Sequence, residues 1–265
     1  MHLITLFEKS RPTLIYYQTF HLHIMNKIWP TGLPNPSVRT IGDMENVLAV
    51  RPSNQDPNTP LYYMYRDLYK THGDHTWLER HHLRYDITRI PSGVINGEYN
   101  KTKGHYHPLN PAGVAYPEVY EVLSGYAYYL LQNREHTDVI VLAARKGDIV
   151  LIPSGYGHVT INPGKEELIM ANLVSTDFES EYGEINEMHG AAYYYMKKEG
   201  WVANPNYGTP IPIHTLIPSS IPELGLVEGR TLYEMIGTSD TLSVMNHPEN
   251  YTEELNRFCS EKLEL

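Results

Sequence analysis

Apolar and polar residues alternate in short runs through the middle of the chain. Leu83 to Ile90 alternates with the period of a strand and stops at Pro91-Ser92-Gly93. Asn96-Gly97 is a turn dipeptide. A strand bearing His105 and His107 follows, then a loop from Pro108 to Pro117 that contains Pro111 and Gly113. Glu118 to Leu123 reads as a strand, Gly125 as a tight turn, and Ala127 to Gln132 as the returning strand. Val139 to Ala143 is another, and Lys146-Gly147-Asp148 turns the chain into Ile149 to Ile152. Pro153-Ser154-Gly155-Tyr156-Gly157 is a turn that delivers His158, and Leu168 to Val174 is a further β run. Many short strands separated by Gly and Pro turns predict an all-β sandwich or barrel, with no helix longer than two turns between 83 and 175.

The flanks differ. Residues 26–60 are rich in Pro, Asn and Thr and are expected to form an arm around the core, with Ile41-Gly42-Asp43-Met44 opening a short helical turn. Leu61 to Tyr65 fits either a strand or a helix start. Residues 203–230 are rich in Pro and Gly. Asn250 to Leu265 predicts a terminal helix, with Asn250 as N-cap and Glu253 three residues on. The expected domains are an N-terminal extension (1–37), a barrel (38–204) and a C-terminal extension (205–265).

Chemistry concentrates at two places in the barrel. Gly104-His105-Tyr106-His107 is followed by Glu118 and Gly125, and later by Gly147, Pro153, Gly155, His158 and Asn162. On a strand, residues two apart share a face, so His105 and His107 aim into one cavity. Three imidazoles and a carboxylate suit a divalent first-row transition metal and leave room for water or substrate. The order and spacing of both groups match the two defining motifs of the cupin superfamily. That resemblance implies a double-stranded β-helix, or jelly-roll barrel.

Composition narrows the classes. The 265 residues are 41% hydrophobic and 20% charged, as in a globular protein, and the net charge of −10 argues against nucleic acid as the main partner. The single cysteine, Cys259, excludes an internal disulfide and fits a reducing cytoplasm. No apolar run is long enough for a membrane helix, and charges from Glu8 to Arg11 interrupt the only apolar stretch before it could serve as a secretory signal. Met25-Asn26-Lys27 reads as a second start, which would make residues 1–24 an extension outside the fold. Tyrosine (22) far outnumbers phenylalanine (4), so most tyrosines are expected on half-exposed strands and some in a polar, sugar-binding cavity.

Thr102-Lys103-Gly104-His105-Tyr106-His107, Pro117-Glu118-Val119-Tyr120-Glu121-Val122-Leu123-Ser124-Gly125 and Leu130-Leu131-Gln132 resemble the archaeal, cupin-type glucose-6-phosphate isomerases. Gly42-Asp43-Met44 is also similar to that family, and the resemblance covers roughly residues 38 to 183. It implies a homodimeric, metal-dependent isomerase that interconverts glucose 6-phosphate and fructose 6-phosphate. By position it implies His105, His107, Glu118 and His158 as ligands of one divalent metal per subunit, Fe2+, Mn2+, Zn2+ or Ni2+. An aldose–ketose isomerase must also move a proton between C1 and C2, for which Glu118 is the best candidate base, with a hydride shift at the metal as the competing route. Thr88, Thr102 and Gly104 stand at phosphate-contacting positions, and Tyr120 and Tyr182 match tyrosines near the sugar.

Two departures from the pattern matter. Ten residues separate His107 from Glu118, more than the family's usual spacing, which makes Glu121 on the opposite strand face a rival ligand. Val174 and Ser180 stand where short family members carry Tyr and His. Strict alternation would place Lys103 with His105 and turn Thr102 away, unless the strand bends at Gly104. The competing functions are another metal-dependent cupin enzyme, a dioxygenase or decarboxylase, and a non-catalytic sugar-binding cupin.

Overall fold

The computed structural model describes residue 29, residues 32–238 and residues 240–255. The expectations for residues 1–24 and for most of the terminal helix lie outside these. The chain divides into residues 1–34 and a compact unit of residues 35–265, which holds every element below.

The described residues of the compact unit form fourteen strands: β1 (Ser37–Thr40), β2 (Pro60–Tyr65), β3 (Leu83–Ile90), β4 (Val94–Ile95), β5 (Glu98–Tyr99), β6 (Glu118–Ser124) and β7 (Tyr126–Asn133) come first. β8 (Val139–Arg145), β9 (Ile149–Ile152), β10 (Tyr156–Ile161), β11 (Leu168–Ser175), β12 (Tyr193–Met196), β13 (Gly200–Ala203) and β14 (Ile213–Leu216) follow. They form a six-stranded sheet in the order β1-β2-β3-β11-β6-β9 and a four-stranded sheet in the order β10-β7-β8-β14. A smaller sheet, β13-β12-β5-β4, completes the set. Apart from β14 with β8, all the pairings are antiparallel. This is the all-β barrel expected from the alternation, and no helix among the described residues is long and apolar enough to cross a membrane.

Burial explains why the central strands read so plainly. Every residue of β11 is buried, as are five of the seven in β8: Val139 to Leu142 and Ala144. Covered on both faces, such strands become continuous apolar runs. Gly125 has φ +88°, and a Cβ there would come within 2.8 Å of the Glu167 carbonyl, so the β6–β7 turn requires glycine.

The flanks are built into the sheets. Leu61 to Tyr65 is strand β2, and β1 pairs with it, so residues 37–65 extend the six-stranded sheet. Ile41–Met44 does form a helical turn, capped reciprocally by Thr40 and Asp43. A nine-residue helix, His72–Arg80, has a second capping box from Thr71 and Asp74. In the tail, β14 adds to the barrel sheet beside β8, and the Leu232 amide donates to Glu121 Oε2 at 2.7 Å. The tail helix begins at Thr252, after a 3-10 turn over Pro248–Tyr251. Asn250 therefore lies inside that turn and is not an N-cap.

Tyr128 meets Tyr195 edge-on at 5.1 Å and Trp201 at 5.7 Å, which packs the small sheet on the barrel. Beneath them, Lys101 and Glu98 form a buried ion pair, and Lys101 Nζ also donates to the Val47 carbonyl at 2.8 Å. Glu98 Oε2 accepts from the Ala49 amide at 2.8 Å. Replacing Lys101 by alanine strands a carboxylate in the interior and is expected to cost about 3–5 kcal/mol. Chemical denaturation of Lys101→Ala checks this; a loss under about 1 kcal/mol would refute it.

Candidate metal centre and active site

His105, His107, Glu118 and His158 come together at the barrel's inner wall, their ligand atoms all within 4.8 Å of one another. The segment carrying the first two is not a regular strand. His105 is held by a single antiparallel bridge to His158, with its amide on the His158 carbonyl at 3.3 Å and the reverse bond at 3.1 Å. Gly104 breaks the alternation with φ +80°, and a Cβ there would lie 2.6 Å from Val159 Cγ2. The bend turns Thr102, Lys103 and Gly104 all toward the cavity, which strict alternation would forbid.

The long loop after His107 does not displace Glu118. Leu109 bridges back to Ala115, so the ten residues close as a small hairpin and return Tyr116 beside His107. The Tyr116 carbonyl accepts from His107 Nδ1 at 2.9 Å, which leaves Nε2 facing the cluster. His107 Nε2 and His158 Nε2 lie 3.4 and 3.3 Å from Glu118 Oε2. Asn172 Nδ2 donates to the other oxygen, Oε1, at 2.7 Å. The rival Glu121 points to the far face of β6, where it anchors the tail through Leu232.

The donor set fits a metal ion. Glu118 Oε2 is buried with no well-formed hydrogen bond, and three imidazole nitrogens converge on it. Burial, then the charges of His158 and His107, keep the His105 imidazole well below its usual pKa; burial also lowers His158. Both are thus held in the form that can bind a metal. For Glu118 burial acts upward, but the close approach of His107 and His158 outweighs it and holds the carboxyl below its ordinary value. The Tyr120 hydroxyl lies 3.1 Å from His158 Nε2, and burial together with Glu118 keeps it protonated.

A cavity of about 400 Å³ opens beside the cluster. Thr88, Thr102, Gly104, Tyr120, Tyr182, His105, His107 and Glu118 line it; His158 stands behind. Val174 and Ser180 line it too. At one corner Tyr62 accepts from the Lys103 amide at 3.3 Å, and Lys103 Nζ and Arg39 Cζ lie 5.9 and 5.7 Å from the Tyr182 ring centre. Burial and the Arg39 charge push the Lys103 ammonium down. Arg66, Arg84, Asp86 and Asn172 also line the wall; none was singled out from the sequence. Burial pushes the Asp86 carboxyl up, against the pull of Arg84 and Arg66.

A family model for glucose-6-phosphate isomerase (GPI) matches residues 38–211. The chain belongs to the glucose-6-phosphate isomerase family. The glucose-6-phosphate isomerase of Thermococcus litoralis is 33% identical over 105 residues, covering 40% of this chain and 53% of that protein. That of Pyrococcus furiosus is 32% identical over the same shares of both chains. The chain thus spans about half the length of the curated relatives it matches. Among solved structures, oxalate oxidase in complex with the substrate analogue glycolate aligns with a TM-score of 0.32 and 17% identity, over 39% of this chain and 47% of that one. Oxalate decarboxylase from Bacillus subtilis at pH 4.6 aligns with a TM-score of 0.34 and 17% identity, over 49% and 30%.

Proposed function

We propose that the protein is a metal-dependent aldose–ketose isomerase acting on glucose 6-phosphate and fructose 6-phosphate. The observation that carries this is the meeting, in one cavity, of a three-His, one-Glu cluster and a polar, cationic corner made by Thr88, Thr102, Gly104 and Lys103. Membership of the isomerase family supports the same reading.

His105, His107, Glu118 and His158 would hold the metal. A divalent ion there supplies Lewis acidity, polarising a carbonyl and stabilising adjacent negative charge. Isomerisation moves a proton between C1 and C2 of the open-chain sugar, and Glu118 is the group that takes and returns it. Asn172 occupies Oε1, so Oε2 is the oxygen presented. The Tyr120 hydroxyl donates to a sugar oxygen at the reacting end. Hydroxyls of Thr88 and Thr102, the Gly104 amide and the Lys103–Arg39 charges receive the phosphate, whose dianion balances two neighbouring cations. Tyr182 stacks between those cations and the sugar.

A coupled assay of fructose 6-phosphate conversion, before and after chelation, tests the reading. Turnover that chelation abolishes and a divalent transition metal restores supports it; oxygen uptake without isomerisation would replace it with an oxidative activity. Turnover in D2O distinguishes the route, since proton transfer through Glu118 labels the product at carbon and a direct hydride shift does not.

Thr88→Val is expected to weaken sugar-phosphate binding by about 1–3 kcal/mol, the cost of a lost hydrogen bond to a charged group, with metal content unchanged. Thr102→Val should match it and also lower stability, because Thr102 Oγ1 accepts from the Thr160 amide at 2.9 Å. Free glucose and fructose should be very poor substrates. Steady-state kinetics and metal analysis check all three; equal turnover of free and phosphorylated sugars would refute the phosphate corner.

A further inference from the structure

The cavity has two ends with different chemistry. Along β2, Tyr62 contacts Lys103, Met64 pairs with Thr88, and Arg66 comes next on the same face. Along β3, Thr88, Asp86 and Arg84 follow one another on that face. Four residues of strand separate Tyr62 from Arg66, about 13 Å of backbone. The two arginines therefore stand away from the Thr102–Gly104 corner. They lie nearer the metal cluster, because Asp86 pairs with Asn172, the residue that holds Glu118.

Asp86 is built to hold them. It is buried at 3% exposure, and Arg84 Nε reaches both of its oxygens at 2.9 Å. Arg66 Nη1 adds a bond at 3.2 Å and the Asp67 amide another at 2.9 Å. One carboxylate thus fixes two guanidiniums, and a positive charge is left over. Arg84 gives only its Nε to Asp86. Its two terminal nitrogens make no hydrogen bond among the described residues, and both arginines line the cavity.

Burying an aspartate costs several kcal/mol and is not needed to keep two arginines in water. What it achieves is one planar donor fork, that of Arg84, locked on a cavity wall beside the second guanidinium of Arg66, whose Nη2 lies 3.3 Å from Met64 Sδ. The partners that match such a fork with two parallel hydrogen bonds are carboxylate and phosphate. The corner at Thr88, Thr102 and Gly104 already answers to one phosphate.

We propose that Arg66 and Arg84, anchored on Asp86, form a second oxyanion-binding point, so that besides its singly acidic substrates the cavity also binds a phosphosugar whose far end is acidic. This rests on the cavity being a sugar-phosphate site and adds the chemistry of the other end, a carboxylate or a second phosphate.

Calorimetry on the full-length protein tests it with three open-chain probes: 6-phosphogluconate, a hexitol 1,6-bisphosphate, and sorbitol 6-phosphate, which has a single acidic group. The measurements are made in chelator, so that attraction of a carboxylate to metal does not enter. At least one doubly acidic probe should bind about tenfold or more tighter than sorbitol 6-phosphate, and the stronger of the two identifies the preferred group. Arg84→Gln and Arg66→Gln should each remove most of that gain and leave sorbitol 6-phosphate within about twofold of the parent. Arg84→Lys keeps the charge without the fork and should recover only part of it. Arg66→Gln leaves Asp86 paired with Arg84, so it provides a folded test if Arg84→Gln does not fold. Equal affinity for singly and doubly acidic probes in the parent, or a gain that survives in Arg66→Gln, would overturn the proposal. Turnover of glucose 6-phosphate is measured separately. Its absence with the arginine-dependent gain intact would remove the isomerase reading and leave this site standing.

Discussion

Replacing His158 by alanine is expected to leave the protein without its metal and without turnover. The imidazole is buried at 2% exposure and faces Glu118 Oε2 at 3.3 Å, so its removal opens a water-sized gap where a ligand stood. Two histidines and one carboxylate remain, and water does not replace a nitrogen donor held in place by the fold. The fold should survive, because the His105–His158 bridge is made by backbone groups. Elemental analysis after dialysis gives the readout, with an expected drop from about one ion per chain to under a tenth. Full occupancy in His158→Ala would remove the four-residue site from consideration. His105→Ala and His107→Ala should behave alike.

Glu118→Gln carries the second large effect. An amide oxygen is a weak ligand and cannot accept the proton that isomerisation moves, so the turnover number should fall by about three orders of magnitude or more. The substitution also sets an amide against Asn172 Nδ2, whose bond to Oε1 at 2.7 Å then depends on which way the glutamine is turned. Glu121→Gln is the matched comparison on the same strand. Its carboxylate receives the Leu232 amide, so the loss should appear as easier release of the tail, with metal content and turnover within a few-fold of the parent. Kinetics and metal analysis of the two variants side by side decide the matter. The opposite ranking would mean that Glu121 is the ligand.

The barrel and the His/Glu cluster were legible for one reason: both repeat a local rule. Strands buried on both faces leave apolar runs such as Val139 to Leu142, and turns leave glycines such as Gly125 and Gly147. The cluster follows from His-x-His and one carboxylate at a fixed remove. The helix His72–Arg80 was missed because only Leu78 in it is buried, which leaves no apolar stripe; the Thr71…Asp74 capping box was the available signal. Arg66 and Arg84 leave no mark in the sequence, since nothing near them reveals that Asp86 is buried between them. Asn172 has the same difficulty, its partner lying 54 positions away. Strand β14 was hidden because parallel pairing over a long separation leaves no hairpin mark.

That last pairing also sets a timetable. β8 lies between β7 and β14, and of its two edges only the β7 side can close while the barrel is being synthesised. Ile213 leaves the ribosome roughly 70 residues after Arg145, so at about 5–20 residues per second the other edge waits several seconds without a partner. During that interval a bare, apolar strand edge is open to any other extended chain. Strand β14, made after the other strands of its sheet, thus acts as the barrel's own chaperone, arriving late to take a place that a neighbouring molecule could otherwise fill.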